Sequence, residues 1–301
     1  MKATVVSGLI ILVLLVAGAS VFIQSGASAQ ANDWQDVEKA LGKAGSMQPG
    51  DVYKVSLPRS DLKVTVAGVQ VKPALALGSW LAFKKSGQMT IVMGDLVLTE
   101  SEVTSVLTKL QQGGIDVTAL HNHVLNETPR VMYMHIHAMG DAVKIASAIH
   151  EALGLSKTPF GISAGNPNSE LGIDTKQLDQ IMGQSGKING GVYQFAVPRA
   201  DTITDGGMNV PPAMGLATAI NFQPTGGGNA AITGDFVLSA SEVEPVIKAL
   251  REGGIEVTAL HSHMLTENPR LFFMHFWGND EALKLARGLR SALDRMNIVK
   301  P

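Results

Sequence analysis

Histidine is concentrated in two short stretches of this sequence. Of the eight histidines in the chain, four lie in residues 119–137 and three lie in residues 259–277. Each stretch has a His-x-His pair and, twelve residues later, a third histidine. These repeated positions are His121, His123 and His135 in the first stretch, and His261, His263 and His275 in the second. Neutral imidazole nitrogen is a good ligand for several divalent transition metals, so this spacing predicts a metal site in each stretch.

The absence of cysteine narrows the choice of metal. Without thiolates, an imidazole-rich site suits zinc first and copper second. Copper would gain support if Met134 or Met274 lay on the same face as the histidines, because thioether sulfur is a soft ligand.

Glutamates follow both His-x-His pairs at the same distance. Glu127 and Glu267 each come four residues after the pair. Such a carboxylate could be a fourth ligand, could orient a histidine, or could act as a general base toward a metal-bound water. The last role would make the protein a metal-dependent hydrolase, so the sequence leaves open whether it is an enzyme.

Other repeated polar residues are candidates for binding a substrate. Arg59 and Arg199 follow a strand at a proline, where they could close the turn by a salt bridge or contact an anion or sugar. An aspartate follows glycine inside a strand pattern at Asp95 and Asp235. Burial of such an acid without a partner is costly, so each could contact a ligand or pair with an arginine. Arg130, Tyr133 and Arg270 lie within the two histidine-rich stretches. Together with Arg59 and Arg199, they are the candidate substrate-binding residues.

The histidines need a β-hairpin to bring them together. Side chains alternate along a strand, so each strand would group its residues on one face: His121 with His123, and Tyr133 with His135 and His137. The register decides which residues meet. His121 opposite His135 joins three imidazoles, whereas a shift of one residue places His121 opposite Met134. The sequence fixes neither this register nor whether the two histidine faces form one shared site.

The chain is a tandem duplication with an offset of 140 residues. Residues 94–135 and 234–275 have 24 identities in 42 positions. The domain prediction is a signal peptide at 1–29, a first repeat at 30–155, a linker at 156–173 and a second repeat at 174–301.

The order of elements predicts an α+β fold. In each repeat, strand patterns surround a helix that begins with a capping box, Thr99 with Glu102 or Ser239 with Glu242. A final helix follows the hairpin and is capped by Asp141 in the first repeat. We therefore expect each half to be an antiparallel sheet with a ferredoxin-like βαββα unit and helices on one face.

The N-terminus resembles a secretory signal. Lys2 precedes an apolar run, and small residues at 27–29 fit a cleavage site. This predicts a periplasmic or secreted protein with no membrane span after cleavage, although an uncleaved anchor is the alternative. A formal net charge of -2 argues against nucleic acid as a partner. The oligomeric state is left open.

Several phrases resemble the LppY/LpqO family of secreted bacterial proteins. They are "PRSDLKV", "SWLAFK", "GDLVLTESEV" and "GIDVTALHNHVLNETPR", and the resemblance covers nearly the whole chain after the signal, once per half. It implies an envelope or secreted location and supplies no reaction. The lipobox cysteine of the lipoprotein members is missing here.

Three functions remain open from the sequence. The first is divalent transition-metal binding at a His-x-His plus His site in each repeat, with or without hydrolysis. The second is a non-metal module that binds a cell-wall glycan, a peptide or a small anion. The third is a structural protein whose histidines only form hydrogen bonds.

Overall fold

The computed structural model describes residues 34–161 and 171–300, together with Met1. The expected signal peptide at 1–29 lies outside this range except for Met1, and so do residues 162–170 of the expected linker. Among the described residues, no helix is both long and apolar enough to cross a membrane.

The first half contains nine strands and four helices among its described residues. Helix α1 covers residues 34–41. The strands are β1 Ser46–Gln48, β2 Val52–Pro58, β3 Thr65–Val66, β4 Val69–Gln70, β5 Gly78–Ser86, β6 Met89–Thr99, β7 Asp116–His121, β8 Glu127–Thr128 and β9 Val131–Gly140. The other helices are α2 Pro73–Ala76, α3 Glu100–Gln112 and α4 Ala142–Leu153.

The second half repeats this order. Its strands are β10 Lys187–Asn189, β11 Val192–Pro198, β12 Thr204–Asp205, β13 Met208–Asn209, β14 Ala217–Gly226, β15 Asn229–Ser239, β16 Glu256–His261 and β17 Leu271–Glu281. Its helices are α5 Thr175–Met182, α6 Val243–Glu252 and α7 Ala282–Leu293, with 3-10 turns at Pro212–Met214 and Ala240–Glu242. The protein is therefore a mixed α+β fold with two similar halves.

Each half forms a six-stranded antiparallel sheet. The strand orders are β1-β2-β5-β6-β9-β7 and β10-β11-β14-β15-β17-β16. In both sheets the strand that returns from the hairpin lies between the two strands that flank the capped helix. The third histidine of each half therefore lies on an inner strand, and the His-x-His pair begins at the end of an edge strand.

Helices cover the outer face of each sheet. In the first half, Val106 and Leu110 of α3 and Ile149 of α4 pack with Met134 and other residues on the helix-covered face of the sheet. Helices α5, α6 and α7 cover the second sheet in the same way. The expected capping boxes are present at Thr99 and Ser239, where they fix the start of α3 and of the 3-10 turn that leads into α6.

The inner faces of the two sheets pack against each other. Two apolar clusters combine residues of both halves. In each, the segment that joins two neighbouring strands of one half (β2 to β5, or β11 to β14) lies on the sheet of the other half. In one cluster, Leu75 and Leu77 near α2 pack with Ala231 and Trp277 of the second sheet. The layers are helices, sheet, sheet and helices, so a residue on an inner face is enclosed between the halves.

The register at the histidines differs from both expected alternatives. His121 pairs with Tyr133, and Ala119 pairs with His135. A bulge at Thr118 shifts the alternation, so Val117 faces the helices, whereas Ala119 and His121 face the other half. The strand also ends at His121, so His123 belongs to the loop that follows.

Candidate functional site

The six repeated histidines converge at one place between the two sheets. His121 stacks on His261 with ring centroids 3.6 Å apart. The other close pairs also cross between the halves: His123 lies 3.8 Å from His275, and His135 lies 3.7 Å from His263. Exchanging the two halves maps each of these contacts onto its counterpart, so the cluster has an internal pseudo-twofold arrangement.

Hydrogen bonds from threonine side chains to backbone carbonyls hold the two His-x-His segments together across the halves. The hydroxyl of Thr118, the bulge residue, donates to the carbonyl of His263 at 2.6 Å. The hydroxyl of Thr258 donates to the carbonyl of His123 in the equivalent contact. Sequence reasoning missed these two threonines, although their identity in both copies of "VTALH" was a signal that could have found them.

One aspartate from each half joins the cluster. Asp95 pairs with His135 across β6 and β9, and Asp235 pairs with His275 across β15 and β17. Asp95 Oδ2 lies 3.7 Å from His123 Nε2. Asp235 Oδ2 lies 3.1 Å from His263 Nε2, without the orientation of a hydrogen bond. The cluster is thus composed of six imidazoles and two carboxyl groups.

The glycine before each aspartate lets the neighbouring strand approach closely. A Cβ at Gly234 would lie only 1.9 Å from the Ala219 carbonyl oxygen, and one at Gly94 would lie 2.7 Å from a side-chain carbon of Leu81. These glycines therefore keep β15 and β6 in the position that carries the aspartates into the cluster.

Hydrogen bonds from the outer ring nitrogen orient several imidazoles. His275 Nδ1 lies 2.7 Å from the Gly234 carbonyl, and His121 Nδ1 lies 2.9 Å from the Asn122 carbonyl. The Gly94 backbone is a hydrogen-bond partner of His135. A carbonyl acceptor at Nδ1 selects the tautomer whose Nε2 carries a free lone pair, which is the usual arrangement of a metal-binding histidine.

The inner atoms of the cluster lack hydrogen-bond partners. Fourteen buried side-chain nitrogen and oxygen atoms have none among the described residues, and nine of them belong to the six histidines and two aspartates. They include the Nε2 atom of every one of the six histidines. Buried polar atoms are normally satisfied, so this concentration points to a ligand that the side chains themselves do not supply.

Burial controls the protonation states in the cluster. It lowers the pKa of His121 to about 4 and lowers the pKa of His123 well below the ordinary value, with neighbouring histidines adding to the second shift. Burial also raises the pKa of Asp235 to about 6. It raises the pKa of Asp95 as well, with the nearby charge of Asp235 adding to the effect. The imidazoles are therefore neutral at pH 7, the form that binds metals.

Three groups of side chains bring their ligand atoms within 4.8 Å of one another. They are His121 with His135 and His261; His121 with His123 and His275; and Asp235 with His261 and His263. Around a tetrahedral zinc with Zn–N bonds of about 2.0–2.1 Å, ligand atoms are about 3.3 Å apart. Closing these groups onto an ion needs movements of about 1.5 Å or less, so their chemistry and spacing fit a divalent metal.

The aromatic residues beside the cluster act as its walls. The Tyr133 ring packs on His123 with centroids 3.2 Å apart, and Phe273 packs on His263 at 3.4 Å. The Tyr133 hydroxyl is buried and donates to the Ala76 carbonyl. Met134 and Met274 lie on the opposite faces, inside the helix-covered cores. The condition that would have favoured copper is therefore not met.

The two candidate general bases lie in the hairpin turns. Glu127 Oε1 accepts from the Val131 backbone N–H at 3.2 Å, and burial raises the Glu127 pKa to about 7. Glu267 Oε1 accepts from the Leu271 backbone N–H at 3.0 Å, and its Oε2 lies 3.3 Å from Arg270. Neither glutamate belongs to the groups of potential metal ligands described above.

The candidate substrate-binding arginines bind protein acceptors or lie at the surface. Arg59 is fully buried, and its five N–H donors are all used by Asp61, Glu102 and the Val97 carbonyl. Arg199 repeats most of this arrangement with Asp201, Glu242 and the Val237 carbonyl. Arg130 is exposed, and its nearest described carboxylate partner is Glu100 at 3.8 Å.

The two histidines without a repeated counterpart lie outside this arrangement. His137 Nε2 lies 3.3 Å from Asp205 Oδ2 of the other half. The equivalent of His137 is Trp277, which is buried in a core. His150 is exposed on α4, and its ring bonds to the Leu41 carbonyl.

A family model described as "Domain of Unknown Function (DUF1259)" matches residues 35–155 and again 176–295. This chain belongs to the DUF1259 family. The two matches also confirm the internal repeat, because each half of this DUF1259 protein carries one copy of the domain. No curated protein matches the chain significantly.

Solved structures similar to this DUF1259 protein include shell proteins of bacterial microcompartments. A trimeric shell protein, PduB, is 12% identical, with 86% of this chain and 96% of that chain covered and a TM-score of 0.22. EtuB from Clostridium kluyveri is 9% identical, with 84% and 91% covered and a TM-score of 0.20. EutL from Clostridium perfringens is 10% identical, with 70% and 81% covered and a TM-score of 0.17. At these TM-scores the likeness carries no functional argument.

Proposed function

We propose that this protein binds a divalent transition metal, with zinc as the first candidate, in a centre enclosed between its two halves. The ligands come from the six repeated histidines and from Asp95 and Asp235. This differs from a separate site in each repeat, because the histidine faces of both halves are directed into one space.

The observation that carries the proposal is the concentration of unpartnered atoms. Six Nε2 atoms and a carboxylate oxygen from each aspartate are buried together without hydrogen-bond partners. Leaving one buried polar atom unsatisfied costs about 1–3 kcal/mol, so a purely structural histidine cluster would be expensive. A divalent cation would satisfy these atoms and also offset the charge of the two buried carboxylates.

Zinc is preferred over copper for reasons of ligand chemistry. The groups available are imidazole nitrogens and carboxylate oxygens, which zinc accepts in tetrahedral sites. Met134 and Met274, which would supply soft sulfur, face the other way. Copper remains the second candidate because imidazole also binds it well.

The test is a zinc titration of the metal-free protein, followed by calorimetry against a competing chelator. The wild type is expected to bind zinc tightly. The His121→Gln/His261→Gln variant, which removes the two rings at the middle of the cluster, is expected to lose at least one binding step. His150→Gln is the matched control, because it removes an exposed histidine. The proposal fails if the wild type takes up no zinc, copper, nickel or iron.

A non-metal ligand is the alternative function. A small anion or glycan would need donors with free hydrogen-bonding capacity. The exposed Arg130 is the stronger candidate, because Arg270 already donates through Nη1 to the Met264 and Leu265 carbonyls and to Glu267. In that case the same titration would show no metal uptake, while His121→Gln/His261→Gln would fold normally. A hydrolase with Glu127 as base requires that glutamate to leave its turn and reach a metal-bound water.

The wider setting we propose is the cell envelope. The N-terminal sequence pattern and the resemblance to the LppY/LpqO family support a periplasmic or secreted protein. We also propose that β6, α3, β7, β9 and α4 form a ferredoxin-like unit, supported by the order in which β9 lies between β6 and β7.

A further inference from the structure

We infer that the centre holds two metal ions and that the halves exchange ligands, so that each ion takes its His-x-His pair from one half and its third histidine from the other. This inference rests on the proposed metal binding and specifies how the ligands are divided. It predicts that neither half alone contains a complete site.

The first ion position is defined by residues of both halves. His121, His123 and His275 bring their ligand atoms within 4.8 Å of one another. Asp95 is the carboxylate beside this group, with Oδ2 at 3.7 Å from His123 Nε2. The position therefore has three imidazoles and one carboxylate, four ligands of types that tetrahedral zinc accepts.

The second position is the counterpart under exchange of the halves. Asp235, His261 and His263 form a group within the same 4.8 Å limit. His135 of the first half stacks on His263 at 3.7 Å, just as His275 stacks on His123. Three imidazoles and one carboxylate again surround one position.

The ring distances argue for exchange rather than for two independent sites. The cross-half pairs His123–His275 and His135–His263 have centroids less than 4 Å apart. The other member of each pair does not discriminate: same-half distances are 5.0 Å for His121–His135 and 4.8 Å for His261–His275, against crossed distances of 5.2 Å and 5.5 Å. The exchange is therefore argued from His123 and His263, whose rings contact the third histidine of the opposite half. The threonine hydrogen bonds between the His-x-His segments fix this crossed arrangement.

Two positions fit the cluster better than one. A tetrahedral ion uses four ligands, and the cluster offers eight side chains. They divide into two sets of four, and each set has the same composition. The third group, His121 with His135 and His261, joins the two sets, which places the positions side by side.

The experiment uses four double variants of the complete protein, analysed with zinc by native mass spectrometry. Each variant replaces two histidines by glutamine, so the number of ligands removed is constant. The crossed pairs are His123→Gln/His275→Gln and His135→Gln/His263→Gln; the same-half pairs are His123→Gln/His135→Gln and His263→Gln/His275→Gln. Exchange predicts that each crossed pair loses one of two ions, whereas each same-half pair damages both positions and loses both.

The opposite pattern would overturn the inference. If each half held its own ion, same-half pairs would lose one ion and crossed pairs would lose both. A wild type that binds one ion would also overturn it, while leaving the proposed function intact. A wild type that binds no metal would instead overturn the proposed function.

A second measurement covers variants that do not fold. The zinc-loaded wild type is crystallised, and an anomalous difference map is recorded at the zinc edge. Two peaks that each contact residues of both halves support the exchange. Peaks that each contact one half only, or a single peak, contradict it.

Discussion

Metal removal should destabilise this protein by an amount that the structure allows to be worked out. Nine buried atoms of the cluster lack hydrogen-bond partners, and at about 1 kcal/mol each, the lower limit for such atoms, the metal-free protein bears about 9 kcal/mol. Ligation by two ions at a free zinc concentration of 1,000 times Kd stabilises the fold by about 8 kcal/mol. Ligation at this zinc concentration would therefore offset most of the cost of the unpartnered atoms.

The corresponding change in Tm is large enough to measure. With an unfolding entropy of about 2.1 cal/mol/K per residue, 1 kcal/mol shifts the Tm of this 301-residue chain by about 1.6 °C, so each ion should raise Tm by about 6–7 °C. The assay is thermal unfolding followed by circular dichroism, first with a chelator and then with buffered zinc. His150→Gln should keep the full shift, and His121→Gln/His261→Gln should lose most of it. An unchanged Tm in the wild type would refute the reasoning.

The remaining predictions concern pH, a buried arginine and a glycine. Without metal, the urea midpoint of unfolding should fall as pH drops from about 6.5 to 4. Burial lowers the pKa of His121 to about 4, so the unfolded chain takes up the proton at a higher pH than the folded protein does. At pH 5 this residue alone lowers the free energy of unfolding by about 2 kcal/mol. Asp235, with its pKa raised to about 6, acts in the opposite sense, so a midpoint that rises on acidification would show that the carboxyl groups dominate. Arg59→Met should lower the free energy of unfolding by about 3–5 kcal/mol, measured by urea denaturation, because it leaves the buried Glu102 carboxylate without its arginine partner; a loss below about 1 kcal/mol, the level of a surface ion pair, would contradict this. Gly234→Ala should reduce Tm more than Gly94→Ala, since its Cβ meets a carbonyl oxygen at 1.9 Å rather than a side-chain carbon at 2.7 Å; equal effects would be inconsistent with this packing.

Local sequence patterns predicted the parts of the site that depend on neighbouring residues. The capping boxes at Thr99 and Ser239 define the helix starts. The duplication and the repeated histidines identified which side chains to examine. These features are encoded within a few residues, where hydrogen bonding and alternation leave few alternatives.

The register could not be predicted because it depends on a bulge. The extra residue at Thr118 changes which side chains of β7 face the other half, so simple alternation from His121 would place Val117 on the histidine face, whereas it packs in the helix-covered core. Thr118 gains its inward position from a hydrogen bond to the other half. Nothing in the local sequence specifies that partner.

The sequence contained a signal that the two histidine faces meet, and an interpretation based only on alternating strands overlooked it. Strand β6 is buried from Thr90 to Leu98, on both faces. A strand that is apolar along its length indicates that both faces of its sheet are covered. The helices of one half can cover only one of these faces. The second cover had to be the other half, although its orientation, which brings His121 onto His261, depends on long-range packing.

The central claim is that this protein carries a metal in the histidine and aspartate centre between its halves. The most direct test is elemental analysis of protein purified without a histidine tag, added metal or chelator, beside the His121→Ala/His123→Ala/His135→Ala variant. The account predicts near-stoichiometric zinc, up to two ions per chain, and its loss in the variant. Wild-type protein that contains no transition metal and takes none up would contradict the account.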